Sequence, residues 1–132
     1  MKKIMLVAAL AALGACSKEA PAPAPEATPA AAATPAEVMA ADGKSPVGKF
    51  TITTSDGKVI NEELTADGKY ADTLDGKVVE TGTWTQKSPG TFCYTNDKAG
   101  SKEICNTEAV DKGVWKTTSP DGKTATVVRV EA

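Results

Sequence analysis

The tripeptide Asp-Gly-Lys divides the second half of the chain into short segments. It occurs at Asp42, Asp56, Asp67, Asp75 and Asp121, and four of these copies separate runs of alternating or β-branched residues. Asp and Gly both tolerate positive φ, which makes the pair typical of hairpin turns. A calcium loop of the EF-hand type would need acidic residues at alternating positions and a distal Glu, and no segment here has that series. The repeats therefore predict short antiparallel strands joined by tight turns.

The residues between these turns predict eight strands. Their expected ranges are 48–54, 58–65, 69–74, 77–86, 91–95, 101–106, 113–118 and 124–131. No helical segment is long enough to cover a face of the sheet, so the sheet must cover itself. We expect an all-β fold, an antiparallel up-and-down meander that closes into a barrel. A β-sandwich is the alternative.

Composition divides the chain into three parts. Residues 1–15 are mostly apolar, residues 16–44 are rich in Ala and Pro, and all six aromatic residues fall in the remaining 88 residues, 45–132. We expect a cleaved signal peptide, a disordered linker and one folded domain, in that order. A domain of this size is near the small end of what folds unaided, so its core must be modest.

Charge and residue types exclude several classes of function. In 45–132, eleven basic residues against thirteen acidic ones give a net charge of −2 without a basic stripe, so we expect no nucleic-acid partner. The chain has no histidine, which removes Ser-His-Asp and Cys-His catalytic groups and imidazole metal sites. Its serines fall at turns or strand edges with no base to activate them. We expect no enzymatic activity, no metal and no cofactor.

The first sixteen residues have the pattern of a targeting signal. Two lysines follow Met1, residues 4–13 are apolar, and Gly14 and Ala15 precede Cys16. An apolar run of ten residues is too short to span a bilayer, which needs about 20. The stretch Leu13-Gly14-Ala15-Cys16 resembles the lipobox of bacterial lipoproteins. This resemblance implies that Cys16 is lipid-modified and becomes the first mature residue.

The same resemblance implies a location and a first partner. Acyl chains on Cys16 would anchor the protein in a lipid bilayer. Ser17 follows the cysteine, where the enterobacterial sorting pattern has an aspartate in proteins kept at the inner membrane. We therefore expect a lipid-anchored protein of the cell envelope, on the periplasmic face of the outer membrane. The Ala/Pro-rich linker would hold the domain away from the bilayer.

Two cysteines remain once Cys16 carries lipid. Cys93 and Cys105 fall on the fifth and sixth predicted strands, and a register in which residue numbers sum to 198 sets them opposite each other. Two cysteines in an exported domain predict a disulfide. Two thiolates without histidine are too few for a zinc site.

Alternation also predicts which side chains face the core. On the first four strands one parity collects the large apolar residues Phe50, Ile52, Ile60, Leu64, Tyr70, Leu74, Val78 and Trp84. Glu62, Asp72 and Glu80 share this parity and fall side by side, although adjacent carboxylates cannot all stay ionised in a dry interior. We expect water, a cation or a basic side chain among them. The last would be Arg129, the only arginine, reaching across the barrel to form a fork with two acids. A β-bulge that turns the acids outward is the alternative.

A second resemblance concerns the architecture alone. Gly48-Lys49-Phe50 on the first strand and Arg129 on the last resemble the lipocalin pattern, in which a Gly-x-Trp and a late Arg close one barrel end. Phe50 replaces the tryptophan, and the domain is little over half a lipocalin's length. The resemblance therefore implies a barrel and no particular ligand.

The interior and the format of the chain together suggest a class of function. Six aromatic residues on short strands should fill so small a barrel, which disfavours a ligand cavity. We therefore expect a non-enzymatic protein-interaction or structural module with an envelope protein as its partner. One alternative is a small-ligand or cation-binding barrel. The other is a periplasmic enzyme inhibitor, because such inhibitors share the format of export signal, one disulfide and small β-barrel.

The Cys16→Ser variant tests lipid anchoring. Serine has no thiol to accept the diacylglycerol group, so the variant should remain an uncleaved precursor or appear in the soluble fraction. Membrane fractionation with metabolic palmitate labelling measures this. A variant that fractionates with the membrane as the wild type does would contradict the prediction.

Overall fold

Eight antiparallel strands form in residues 37–132, the part of the chain that the computed structural model describes. They are β1 (Gly48–Thr54), β2 (Val59–Leu64), β3 (Lys69–Leu74), β4 (Lys77–Ser88), β5 (Thr91–Asn96), β6 (Ile104–Asp111), β7 (Val114–Thr118) and β8 (Thr124–Val130). Each strand pairs with its neighbours in the chain, and β1 also pairs with β8. The sheet is therefore a closed barrel, as predicted, and not a sandwich. The predicted signal peptide, Cys16 and most of the predicted linker lie outside the described residues.

Three of the Asp-Gly turns share one geometry. In 54–58, 65–69 and 119–123 the first residue's N–H donates to the fifth residue's C=O, and the glycine N–H donates back to the first residue's C=O. Only the glycine has positive φ, as in a three-residue hairpin loop. The aspartate carboxylate accepts a hydrogen bond from the Thr or Ser hydroxyl two residues before it.

The Asp-Gly copy in the predicted linker forms the same turn. The N–H of Ala40 donates to the C=O of Lys44 at 2.9 Å, and the N–H of Gly43 donates to the C=O of Ala40 at 2.9 Å. Ala40 packs into the hydrophobic core and is 1% exposed. The folded part of the chain therefore begins before the predicted boundary at Ser45. The sequence did not predict this turn, because its residues have the composition of a linker and lie outside any strand pattern.

Arg129 closes the end of the barrel on which this turn lies. Its Nε and Nη2 donate to the two carboxylate oxygens of Asp42 at 2.7 and 3.0 Å. Its guanidinium carbon lies 4.7 Å from the centroid of the Phe50 ring and 6.0 Å from that of Trp115. A Cβ on Gly48 would lie 3.3 Å from Nη1 of Arg129, so the glycine leaves room for the guanidinium. We call this end the plugged end.

The apolar core lies towards the plugged end. It consists of Ala40, Phe50, Leu64, Tyr70, Phe92, Trp115 and Val127. Aromatic rings pack edge to face between Phe50 and Trp115 and between Tyr70 and Tyr94, with centroids 5.7 Å apart in both pairs. The opposite end carries the β1–β2, β3–β4, β5–β6 and β7–β8 turns, and we call it the open end.

The β3–β4 register corrects one prediction about the core face. Asp72 pairs with Glu80 as expected, but the register then shifts, so that Thr73 pairs with Val78 and Val79 is the extra residue of a bulge. The shift turns Val78 outward, where it is 64% exposed, although the sequence places it in the core. The bulge lies beyond Asp72 and Glu80, so it does not turn the acids outward.

β6 corrects a second prediction. The strand begins at Ile104 and continues to Asp111, whereas the sequence predicts 101–106. Lys112 and Gly113 both have positive φ and form the two-residue turn to β7. Lys-Gly is a weaker turn signal than Asp-Gly, which explains why the end of this strand was missed.

The predicted disulfide between Cys93 and Cys105 is confirmed, and the two residues are direct cross-strand partners. It lies on the outer wall of β5 and β6, beside an ion pair between Lys87 and Glu103. The carboxylate of Glu103 lies within 4.8 Å of both sulfurs, but these sulfurs are bonded to each other. Closing a loop of this size contributes on the order of 3 kcal/mol to stability.

The Arg129→Met variant tests the plugged end. Hydrogen bonds to charged groups contribute about 1.5 to 3 kcal/mol each, and the variant loses two, so its unfolding free energy at pH 7 should fall by about 3 kcal/mol or more. Burial raises the pKa of Asp42, but hydrogen bonds from Arg129 and from the N–H of Lys44 outweigh it and hold this pKa below 3.8. The difference from wild type should therefore shrink as the pH falls below 3.8 and Asp42 takes up a proton.

Urea unfolding of Arg129→Met beside Lys44→Met measures the effect. Lys44 forms an exposed ion pair with Glu131, and losing it should cost less than about 1 kcal/mol. Equal losses in the two variants would show that Arg129 is an ordinary surface residue.

Candidate functional site

A cavity of about 560 Å³ lies inside the barrel and opens between the β1–β2 and β7–β8 turns. This volume is within the range of small-molecule sites. Tyr70 and Tyr94 line the cavity, but the other four aromatic side chains do not reach it. The expectation that the aromatic residues fill the barrel is therefore wrong for its open half.

Three carboxylates form a row along one wall of this cavity. Glu62 on β2 pairs directly with Asp72 on β3, and Asp72 pairs directly with Glu80 on β4. All three residues line the cavity. Neighbouring strands lie about 4.8 Å apart, so the backbones that carry the row span about 10 Å. The predicted side-by-side arrangement of these acids is confirmed, and we call the three residues the acidic row.

Arg129 does not bind the acidic row, which corrects the predicted fork. Phe50 is the reason, since it pairs with Arg129 on β8 and with Glu62 on β2 and so lies between them. The guanidinium packs on the Phe50 ring and turns to Asp42, which offers two carboxylate oxygens. The cluster of four charged residues predicted from the sequence is therefore two separate groups.

The members of the acidic row differ in their partners. Glu80 accepts a hydrogen bond from the hydroxyl of Tyr70 at 2.8 Å, and the Nζ of Lys98 lies 4.0 Å from its other oxygen. Within residues 37–132, Glu62 and Asp72 have no hydrogen-bond or ion-pair partner, and Oδ1 of Asp72 is buried. Buried polar atoms in proteins are nearly always hydrogen-bonded. Glu62 and Asp72 therefore bring carboxyl groups without partners among the described residues to the wall of the cavity.

Burial sets the protonation of the acidic row. Burial raises the pKa of Glu62 to about 8, and repulsion from Asp72 and Glu108 adds to this rise. Burial followed by repulsion from Glu80 raises the pKa of Asp72 to about 6. Burial and the bond to Glu80 also raise the pKa of Tyr70, so its hydroxyl keeps its proton and donates. At pH 7 Glu62 is mostly neutral and Asp72 mostly ionised.

Gly82 on β4 gives Tyr70 its position beside the acidic row. A Cβ on Gly82 would lie 2.7 Å from Cε1 of Tyr70 and 2.1 Å from the carbonyl oxygen of Thr95. Any larger residue would therefore displace the tyrosine ring or separate β4 from β5. Sequence reasoning missed this residue, although a glycine inside a strand signals close approach of a neighbouring group.

A polar pair lies between the cavity and the plugged end. Glu108 on β6 is buried and accepts a hydrogen bond from Nε2 of Gln86 at 3.1 Å. Burial raises the pKa of Glu108, and this hydrogen bond counteracts the rise. Both residues border a small cavity of about 40 Å³, which Glu62 also borders. Sequence reasoning missed Glu108 because the predicted sixth strand ended at Asn106.

Comparisons with sequence profiles of protein families, with curated proteins and with solved structures found no match to this chain. Residues 37–132 also contain no helix of the length and apolarity needed to cross a membrane.

The Glu62→Gln variant tests the burial of this carboxyl group. A raised pKa means that the folded state holds the proton more tightly than the unfolded state does, so stability falls as the pH rises from 4.5 to about 8. At about 1.4 kcal/mol per pKa unit, the loss is on the order of 5 kcal/mol. Glutamine does not ionise. The variant should match the wild type at pH 4.5 and exceed its stability at pH 9.

Urea unfolding at pH 4.5, 7 and 9 measures this difference. Glu63→Gln is the matched control, because Glu63 is the next residue on β2 and is exposed on the outer wall. If Glu62→Gln and Glu63→Gln show the same pH dependence, Glu62 ionises normally and the cavity is more solvated than the structure indicates.

Proposed function

We propose that this protein is a non-enzymatic binding protein of the bacterial cell envelope, and that its barrel interior takes up a small ligand. The observation that carries the proposal is the open cavity of about 560 Å³, whose wall carries carboxylates without partners among residues 37–132. Eight-stranded barrels are just wide enough to hold side chains or one small ligand. Here the core occupies one end of the barrel, and the cavity occupies the other.

The cavity changes which of the functions inferred from the sequence is favoured. A protein-interaction or structural module needs no interior space, and a filled barrel would be more stable than one with ionisable groups in a cavity. The cavity therefore favours the ligand-binding alternative. We retain the lipoprotein anchor at Cys16 and the periplasmic face of the outer membrane as part of the proposal, on the strength of the lipobox.

A second candidate function, an envelope protein partner bound on the outer wall, is favoured by exposed valines. Val78 and Val130 are 64% and 49% exposed and border the same shallow groove, which crosses the outer surface of β1 to β4 and β8. Exposed apolar side chains that share a groove are typical of contact surfaces. This candidate includes the enzyme-inhibitor alternative, because an inhibited enzyme would also be a protein partner.

Saturation-transfer NMR on the purified protein in nonionic detergent tests the ligand proposal against a library of small metabolites. Ala125→Phe should abolish the signals of true ligands, because Ala125 lines the cavity and the larger ring fills it. Thr126→Phe, on the other face of the same strand, should leave them unchanged.

Affinity capture from an envelope extract, run in parallel with the same protein, tests the second candidate. If no ligand depends on Ala125, and one protein is captured by the wild type and lost in Val78→Lys, the outer groove is the functional surface and the ligand proposal is wrong.

A further inference from the structure

We propose that the cavity binds a linear organic polyamine, with its ammonium groups donating N–H bonds to the acidic row. This inference rests on the proposed function and names the class of ligand for the same site. It is carried by the unused acceptors, their spacing and the groups that surround them.

The unused acceptors require a ligand with hydrogen-bond donors. Oδ1 of Asp72 is buried without a partner in the described chain, and half-buried Glu62 lines both cavities and has no hydrogen-bond partner among the same residues. An ammonium group with N–H bonds satisfies such acceptors and neutralises their charge. An anion would be repelled, and a quaternary ammonium group has no N–H to donate. Among groups that carry both a positive charge and N–H bonds, a primary or secondary amine is the simplest that meets these requirements.

The arrangement of the acids favours an extended cation over a metal ion. The oxygens that ligate one calcium ion lie 2.3 to 2.6 Å from it and hence within about 5 Å of one another. Within residues 37–132, the carboxylate oxygens of the acidic row do not all lie within 4.8 Å of one another. The three acids instead lie on three successive strands, whose backbones span about 10 Å. A chain with several ammonium groups fits this spacing.

The rest of the cavity wall suits an alkyl amine. Tyr70 and Tyr94 pack edge to face at 5.7 Å and both line the cavity, where their rings attract cations. Ile52 and Ile60 line it as well and offer apolar contact to methylene groups. The same wall therefore provides hydrogen-bond acceptors, aromatic rings and apolar surface, which correspond to the parts of a polyamine.

Other charged groups near the acidic row do not neutralise its negative charge. The lysines at the mouth, Lys58 and Lys123, form ion pairs with Asp56 at 3.1 Å and Asp121 at 2.7 Å. The titratable and charged groups that face Glu62 and Asp72 from the neighbouring strands are Glu80, Tyr70, Tyr94, Glu108 and, beyond Glu80, Lys98. Arg129, on the far side of Phe50, is bound to Asp42. The acidic row therefore lacks a full complement of cations within the described residues.

Binding should release a proton and strengthen with rising pH. Glu62 is mostly neutral at pH 7, because burial followed by repulsion from Asp72 and Glu108 raises its pKa to about 8. An alkylammonium group keeps its proton over this range, as lysine does. A bound ammonium group favours the ionised carboxylate, so affinity should increase between pH 6 and pH 8.

Isothermal titration calorimetry with spermidine, on the purified lipoprotein in nonionic detergent, tests the inference. We expect saturable one-to-one binding that is at least tenfold tighter at pH 8 than at pH 6. Glu62→Gln and Asp72→Asn should each weaken binding at pH 8 at least tenfold, while Glu63→Gln on the outer wall should leave it unchanged. Choline, which has no N–H group, and calcium chloride should bind at least tenfold more weakly than spermidine.

Three results would overturn the inference. They are no saturable spermidine binding at millimolar concentration, binding that Glu63→Gln weakens as much as Glu62→Gln, and calcium binding that is tighter than spermidine binding and depends on Asp72. Circular dichroism of each variant at pH 8 confirms that it is folded. If spermidine fails but a library compound gives signals that Ala125→Phe removes, the polyamine inference is wrong and the proposed function stands. If both experiments fail, both proposals are wrong.

Discussion

Pairing of β1 with β8 closes the barrel and determines how much its interior can hold. Six residue pairs, from Lys49 with Val130 to Thr54 with Ala125, join the first and last strands and leave no free sheet edge. Closure sets the interior width, because eight strands enclose a space that side chains can just fill. The large side chains here suffice for one end only, since the core residues lie towards the plugged end. The cavity at the other end follows from a closed barrel with too few large residues to fill it.

At the plugged end, the repeated turn has a different first residue and a different structural role. In three of the turns a Thr or Ser hydroxyl donates a hydrogen bond to the aspartate carboxylate. Ala40 takes the place of that residue in the fourth copy of this geometry, so it can bury its methyl group in the core. It has no hydroxyl to offer Asp42, whose two oxygens accept hydrogen bonds from Arg129 and from the N–H of Lys44. A turn that elsewhere joins two strands thus becomes a cap, held by an ion pair and by a cation over the Phe50 ring.

Local sequence signals predicted much of this fold, but they did not predict features that depend on residues far apart in the sequence. Alternation and Asp-Gly turns located all eight strands and the register that joins Cys93 to Cys105, because both depend on residues close in sequence. The bulge that turns Val78 outward left no such signal, because Val78 and Val79 are equally suited to either face. The partner of Arg129 was missed because Asp42 lies in a segment with the composition of a linker. The acidic row was predictable as a row, but the cavity beside it depends on where six aromatic rings pack in three dimensions.

The acidic row is best understood through its cost to the fold. Burying carboxyl groups without partners opposes folding, and replacing them with apolar residues often stabilises a protein. In a domain this small, the disulfide that closes the β5–β6 turn and the bond between Arg129 and Asp42 at the plugged end offset part of that cost. A barrel with only a structural role gains nothing from Glu62 and Asp72, since an apolar pair would fill the same wall. A barrel that binds a cation gains from both, because ligand binding neutralises and hydrogen-bonds the groups that destabilise the empty form. Burial of these carboxyl groups therefore lowers the stability of the fold, and binding of a cation to them restores it.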